Sequence, residues 1–320
     1  NPIPLSGTLT GAGGLLKVGA NSLTLSGATI SYAGQTSISS GTLNVTGSAG
    51  AALTTSSLSM VTGTTLNLLN GAGQTLNLGA GALSLGTVVS AANTNLGLEL
   101  GSLATYDNIT TSAYATIIGN IKFNITGISG LGAGDYTLLS AAGGLSSGTY
   151  LFGALPGGYT YSTGLSTDSA LILSVTPASS NLLYWKGGLG DGKWSSFDGS
   201  FNTNWTNSLG TVNAMSIPGP STTAIFSASN ITGTGTIATT LEGNITLNDV
   251  VFNNSTNTGA LTAITIAPGT SSTYTLTIAP ASASDGINVQ TGAPALITIT
   301  APVSLGANQT WTVVDPATVL

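Results

Sequence analysis

Apolar and polar residues alternate in short runs along nearly the whole chain, as in Leu23-Thr24-Leu25 and Ile297-Thr298-Ile299. A period of two places successive side chains on opposite faces of an extended backbone, so these runs predict β-strands. From Leu5 to Thr46 the runs are three to six residues long and are separated by Gly-containing turns. That rhythm suits a chain coiling through short strands better than one built from long hairpins. Related phrases recur at Thr42-Leu43-Asn44-Val45, Thr65-Leu66-Asn67-Leu68, Thr75-Leu76-Asn77-Leu78 and Ala82-Leu83-Ser84-Leu85, with uneven spacing, as a degenerate repeat.

Such a chain buries its apolar positions by stacking coil on coil. Each strand pairs in parallel with the one below at about 4.8 Å, with Leu, Ile, Val and Ala inward and Thr, Ser and Asn outward. Stacked Asn and Thr ladders satisfy the polar side chains, and small residues turn the corners. At ~20 to 25 residues per coil, one unit would span on the order of 60 to 75 Å if wholly solenoidal.

The text changes along the chain. Residues 1–119 read as solenoid, and 120–177 as a continuation with longer, Tyr-rich strands ending in Ala170-Leu171-Ile172-Leu173-Ser174-Val175. Residues 178–220 form a Trp/Gly-rich module or junction, in which Trp185, Trp194 and Trp205 are three of the chain's 4 Trp. Residues 221–320 resume the alternation toward a next unit. Only Thr111 to Ile118 is compatible with a helix.

Composition narrows the chemistry. Of 320 residues 45 are Gly, 4% are charged, and neither Cys nor His occurs. Lys17, Lys122, Lys186 and Lys193 are the only basic side chains, too few for a nucleic-acid groove or a polybasic membrane patch. Zinc fingers, thiol nucleophiles and Ser-His-Asp catalysis lack their ligands and bases. A mean hydropathy of +0.39 raises the question of a membrane protein. No apolar run approaches about 18 residues, so no membrane-spanning segment is expected. An apolar content of 41% is too high for a disordered linker, and a net charge of -6 gives weak solubility support.

The residues Gly11-Ala12-Gly13-Gly14-Leu15-Leu16-Lys17-Val18-Gly19, followed by "NSLTLSGA" and "SISSGTLNV", resemble the autotransporter-associated β-strand repeat. Departures from that pattern are Asn21 where Gly is usual, Thr29 where Asn is usual, and Tyr32-Ala33-Gly34-Gln35-Thr36 for "Y-x-G-G-T". Leu155-Pro156-Gly157-Gly158-Tyr159, the Trp module and "LGANQTWTV" at Leu305 to Val313 also resemble parts of large bacterial surface proteins. The resemblance implies an all-β, right-handed parallel β-helix, or β-solenoid, interrupted by a Trp-containing β module and exported to the bacterial cell surface. In such proteins "LGANQTWTV" leads into the "L-x-K-x-G" step, which here sits at the opposite end. Joining Leu320 to Asn1 restores that order, so the chain reads as one period of a longer array or as a subunit whose ends meet other copies. Ile3, Leu5, Trp311, Val313 and Leu320 are the expected junction.

Carboxylates are the only acid–base candidates. Asp191 and Asp198, near Trp194 and Trp205, suit either paired glycosidase carboxylates, calcium ligands or turn residues bonded to their own backbone. Trp185, Trp194 and Trp205 suit glycan stacking or core packing. Sequons such as Asn44-Val45-Thr46 and Asn204-Trp205-Thr206 arise readily in Asn/Thr-rich strands. The expected function is structural: an extracellular solenoid that binds copies of itself head to tail, without cofactor, metal or catalysis. The alternative is an adhesin that binds glycans through its Trp-rich region.

Overall fold

The computed structural model describes residues 3–27, 29–47, 53–178, 181–198, 200–207, 213–226, 235–253, 261–283 and 286–314. They fall into two compact units, Asn1–Leu155 with Ser162–Thr176, and Pro156–Tyr161 with Pro177–Leu320. The fold is all-β, a parallel β-helix whose short strands stack coil upon coil. Parallel connections of this kind turn right-handed almost without exception.

The first unit has three faces visited in rotation. Face one carries seven strands: Ile3–Leu5, Ser22–Leu25, Thr42–Val45, Thr65–Leu68, Asn93–Leu100, Asn120–Gly127 and Thr149–Ala154. Face two begins with Leu9–Gly11, Ile30–Tyr32 and Leu53–Thr54, and a second sheet follows with Thr75–Asn77, Asn108–Thr110 and Gly134–Ser140. Face three stacks Leu15–Lys17, Thr36–Ile38, Leu58–Met60, Leu83–Leu85 and Ala115–Ile117. Stacking is in register, so Leu23, Leu43, Leu66, Leu96 and Phe123 form one inward column. From Leu43 upward that column is fully buried. The first coils are twenty residues long, Ile3 to Leu23 and Leu23 to Leu43, whereas Leu66 to Leu96 takes thirty. The extra residues sit in corners, so the ladders persist while the coil outgrows the expected length.

Residues 111–118 contain no helix. They carry the strand Ala115–Ile117, paired in parallel with Leu83–Leu85. Thr116 and Ile117 are β-branched and gain a ladder there, which outweighs the weak local helix preference. The helical element among the described residues is a single 3-10 turn, Leu145–Ser147.

The second unit repeats the three-faced plan. Its first face stacks Leu182–Trp185, Thr223–Phe226, Asp249–Phe252, Ile287–Val289 and Thr312–Val313. Its second stacks Gly235–Thr240, Leu261–Ala267 and Leu296–Ile299, and its third Ile245–Leu247, Leu276–Ile278 and Val303–Leu305.

Candidate functional site

Each unit has two of its three faces terminated by non-solenoidal pieces at one end, and no such piece among the described residues at the other. In the first, the antiparallel strand Ala170–Pro177 covers Gly134–Ser140 on face two and breaks the parallel stacking there. The 3-10 turn ends face three, where Ala115 N donates to Gly143 O at 2.9 Å and Ser147 Oγ to Ile117 O at 3.2 Å. At the opposite end no described residue covers the first coil. Leu5 is aligned with the buried Leu25, an inward position, and still is 42% exposed. Leu9 and Leu15, aligned with the buried Ile30 and Thr36, are only half-buried.

In the second unit the tryptophan module forms the closed end. Trp205–Thr206 adds antiparallel to Leu182–Trp185, while Trp194 N donates to Thr240 O at 2.8 Å and Thr240 N to Gly192 O at 2.9 Å. Two faces are thereby terminated by short non-solenoidal pieces. At the far end no described residue covers the inward columns: Leu305 above Ile278 is 64% exposed, and Val313 above Val289 is 47% exposed. Trp311, one residue before the pair Asn288↔Thr312, is also 47% exposed, and its Nε1 donates to Gln309 Oε1. Among the expected junction residues, Ile3 lies on the first strand of the first unit, and Leu320 lies outside the described residues.

Trp185, Trp194 and Trp205 come together around Phe226. Trp205 meets Trp185 and Trp194 edge-on, each at 5.1 Å between ring centroids, and Phe252 stacks on Phe226 at 5.3 Å. All three indoles are at most 2% exposed. Two of their N–H groups are also used: Trp194 Nε1 donates to Thr239 Oγ1 at 2.9 Å and Trp205 Nε1 to Trp194 O at 3.1 Å. A sugar ring has no face to stack on here, and the cluster serves as the core of the cap.

The neighbouring carboxylates are turn residues. Asp198 accepts from Ser200 N, Asn202 N and Asn202 Nδ2, and Asp191 from Lys193 N, Ser196 Oγ and Asn204 Nδ2. Burial is the largest single influence and pushes both carboxyls up, but the hydrogen bonds together, with the Lys193 charge at Asp191, outweigh it and hold both below the usual carboxylate range. Asn204 is fully buried, so its sequon is closed to modification in the folded protein. Among the described residues no group of three or more His, Cys, Asp or Glu is placed to hold a metal. None of their helices is long and apolar enough to cross a membrane.

Two features escaped the sequence reading. Lys17 occupies an inward position yet turns its Nζ into the corner, donating to the carbonyls of Val18, Gly19 and Ser40 at 3.0, 2.7 and 2.8 Å. It thus ties two coils together. Where the first sheet of face two stops after Leu53–Thr54, side chains carry the ladder on. Leu53 N donates to Gln74 Oε1, and Asp107 accepts from Gln74 N at 2.8 Å and Glu99 N at 2.7 Å. Glu99 accepts from Gly71 N at 2.7 Å. Burial is the main cause that pushes Asp107 up to about 7, and it raises Glu99 as well. The available signal was a carboxylate inside an otherwise uncharged strand, Leu96-Gly97-Leu98-Glu99-Leu100.

No protein-family model, curated protein or solved structure matches the chain.

Proposed function

We propose that this chain is a structural building block of an extracellular bacterial surface fibre, joined to copies of itself by stacking of solenoid layers. The observation that carries this reading is the asymmetry of the ends: in each unit two faces are terminated at one end, while at the other no described residue covers the inward apolar columns. An uncovered layer presents unpaired backbone groups together with apolar side chains, and another layer of the same geometry satisfies both. Two different ends meeting make a heterologous contact, which propagates as an open filament. The near absence of Lys and the absence of Arg leave trypsin-like proteases few cleavage points, which suits a surface protein. The resemblance of Gly11–Gly19 and its flanks to autotransporter-associated repeats adds sequence support for the bacterial surface.

Electron microscopy and sedimentation of the purified chain over a wide concentration range test the reading. Concentration-dependent filaments are expected, and Leu305→Asp, which places a charge on the uncovered column, should abolish them while leaving the circular dichroism spectrum unchanged. A chain that stays monomeric throughout that range overturns the proposal.

A further inference from the structure

Building on the stacking function proposed above, we infer that two copies meet in one rotation only. Ile3–Leu5 of the incoming copy adds to Leu296–Ile299, Leu9–Gly11 to Val303–Leu305, and Leu15–Lys17 to Thr312–Val313.

The first argument is geometric. A coil is a ramp that climbs one strand spacing per turn, so an uncovered end has a step. At the end of the second unit the outermost strands climb in the order Leu296–Ile299, Val303–Leu305, Thr312–Val313. At the start of the first unit they climb in the order Ile3–Leu5, Leu9–Gly11, Leu15–Lys17. The two ramps close without a gap only when the lowest strand of one sits on the lowest outermost strand of the other. Either other rotation leaves one or two faces open by a whole strand spacing, about 4.8 Å, or spreads that step over all three, and N–H···O bonds tolerate neither.

Hydrogen-bond polarity agrees. In the stacked layers, the N–H following an inward residue donates to the carbonyl of the inward residue below. The first unit shows this as Ser26 to Leu5, Ala33 to Gly11 and Ser39 to Lys17, and the second as Thr300 to Ile266, Gly306 to Ile278 and Val314 to Val289. Continued across the contact, the rule gives Ser6 N to Ile299 O, Ala12 N to Leu305 O and Val18 N to Val313 O. Pro4 lacks an N–H, so the first face forms one bond fewer, which also discourages indiscriminate pairing at that edge.

Size agrees too. The coils of the second unit contract from thirty-seven residues, Val250 to Ile287, to twenty-four, Asn288 to Thr312. They approach the twenty-one of Leu9 to Ile30 and Leu15 to Thr36 at the start of the first unit. The protruding Leu305 then faces Gly11, where a Cβ would meet nothing within 4 Å.

The chain has no Cys, so introduced pairs report the register cleanly. Residues aligned on neighbouring parallel strands lie about 4.8 Å apart, within disulfide reach. Leu16 and Thr312 point outward and are exposed, as do Thr10 and Ser304. Leu16→Cys with Thr312→Cys, and Thr10→Cys with Ser304→Cys, should each oxidise into a ladder of covalent multimers on a denaturing gel. The crossed pair, Leu16→Cys with Ser304→Cys, should assemble but stay monomeric on that gel. Cross-linking of the crossed pair alone, or of no pair in a chain that does assemble, overturns the register and leaves the stacking function standing. Failure of the unsubstituted chain to assemble removes both.

Discussion

Asp107 sits fully buried with both carboxyl oxygens accepting backbone N–H groups, and its pKa lies near 7 because burial disfavours the anion more than those donors favour it. A folded-state pKa above the unfolded value means that the folded chain holds the proton more tightly. This stabilisation is complete below the ordinary carboxylate range, near pH 4, and is lost as pH rises through about 7. Thermal unfolding should therefore move to lower temperature between pH 5 and pH 7, with a loss of up to about 1.4 kcal/mol per pH unit. Asp107→Asn, which imitates the neutral acid, should flatten that dependence, and an unchanged slope in the variant would assign the effect elsewhere. Lys17 acts by a different route, through three carbonyls at one corner. Lys17→Met keeps the stem and removes the donors, and chemical denaturation should show a loss of about 1–3 kcal/mol. The sequence marked Lys17 as part of a "L-x-K-x-G" step, but its amine's partners include Ser40, a coil away and invisible to local spacing.

At the scale of the element, alternation and stacking produce ladders. Asn67 Nδ2 donates to Asn44 Oδ1 at 2.8 Å, and Asn44 Nδ2 to Thr24 Oγ1 at 3.3 Å, along an outward column. The column reaches Gly97, where a Cβ would lie 2.3 Å from Asn67 Oδ1. Gly97→Ala should cost about 1–3 kcal/mol in the natural background and much less beside Asn67→Ala. Equal costs in both backgrounds, in a double-mutant cycle, would refute the steric account. Corners follow a rule of their own. Gly19, Gly41, Gly63, Gly86 and Gly119, each shortly after a strand of face three, have positive φ, and at Gly41 a Cβ would also meet three backbone oxygens within 2.7 Å. Strand type and much of the ladder chemistry were legible because period two is local. The strand at Ala115–Ile117 was not, because its partner lies thirty-two residues back at Leu83–Leu85.

At the scale of the whole molecule, each unit carries its own core and its own cap. Trp205→Ala should remove the centre of the second unit's cap, at about 3–5 kcal/mol. Hydrogen exchange is expected to accelerate at Phe226 and Phe252 while Leu43 and Leu66 in the first unit keep their protection. Loss of protection in both units alike would show that the cluster does more than close one end. The tryptophans were conspicuous in the sequence, yet packing and glycan stacking predict the same residues. Only their depth, and the hydrogen-bonded indole N–H groups of Trp194 and Trp205, separate the two.

The sequence by itself determined the class of fold and the chemistry that is missing, since alternation depends on nearest neighbours and composition on a count. It also singled out Leu5, Trp311 and Val313, which the structure leaves exposed on the outermost coils, while their meeting another copy belongs to the proposal. The tertiary structure decided which ends are closed, which carboxylate is buried, and where coils of unequal length come into register. Those properties depend on residues twenty or more positions apart meeting in space, and uneven corners erase that spacing from the linear text.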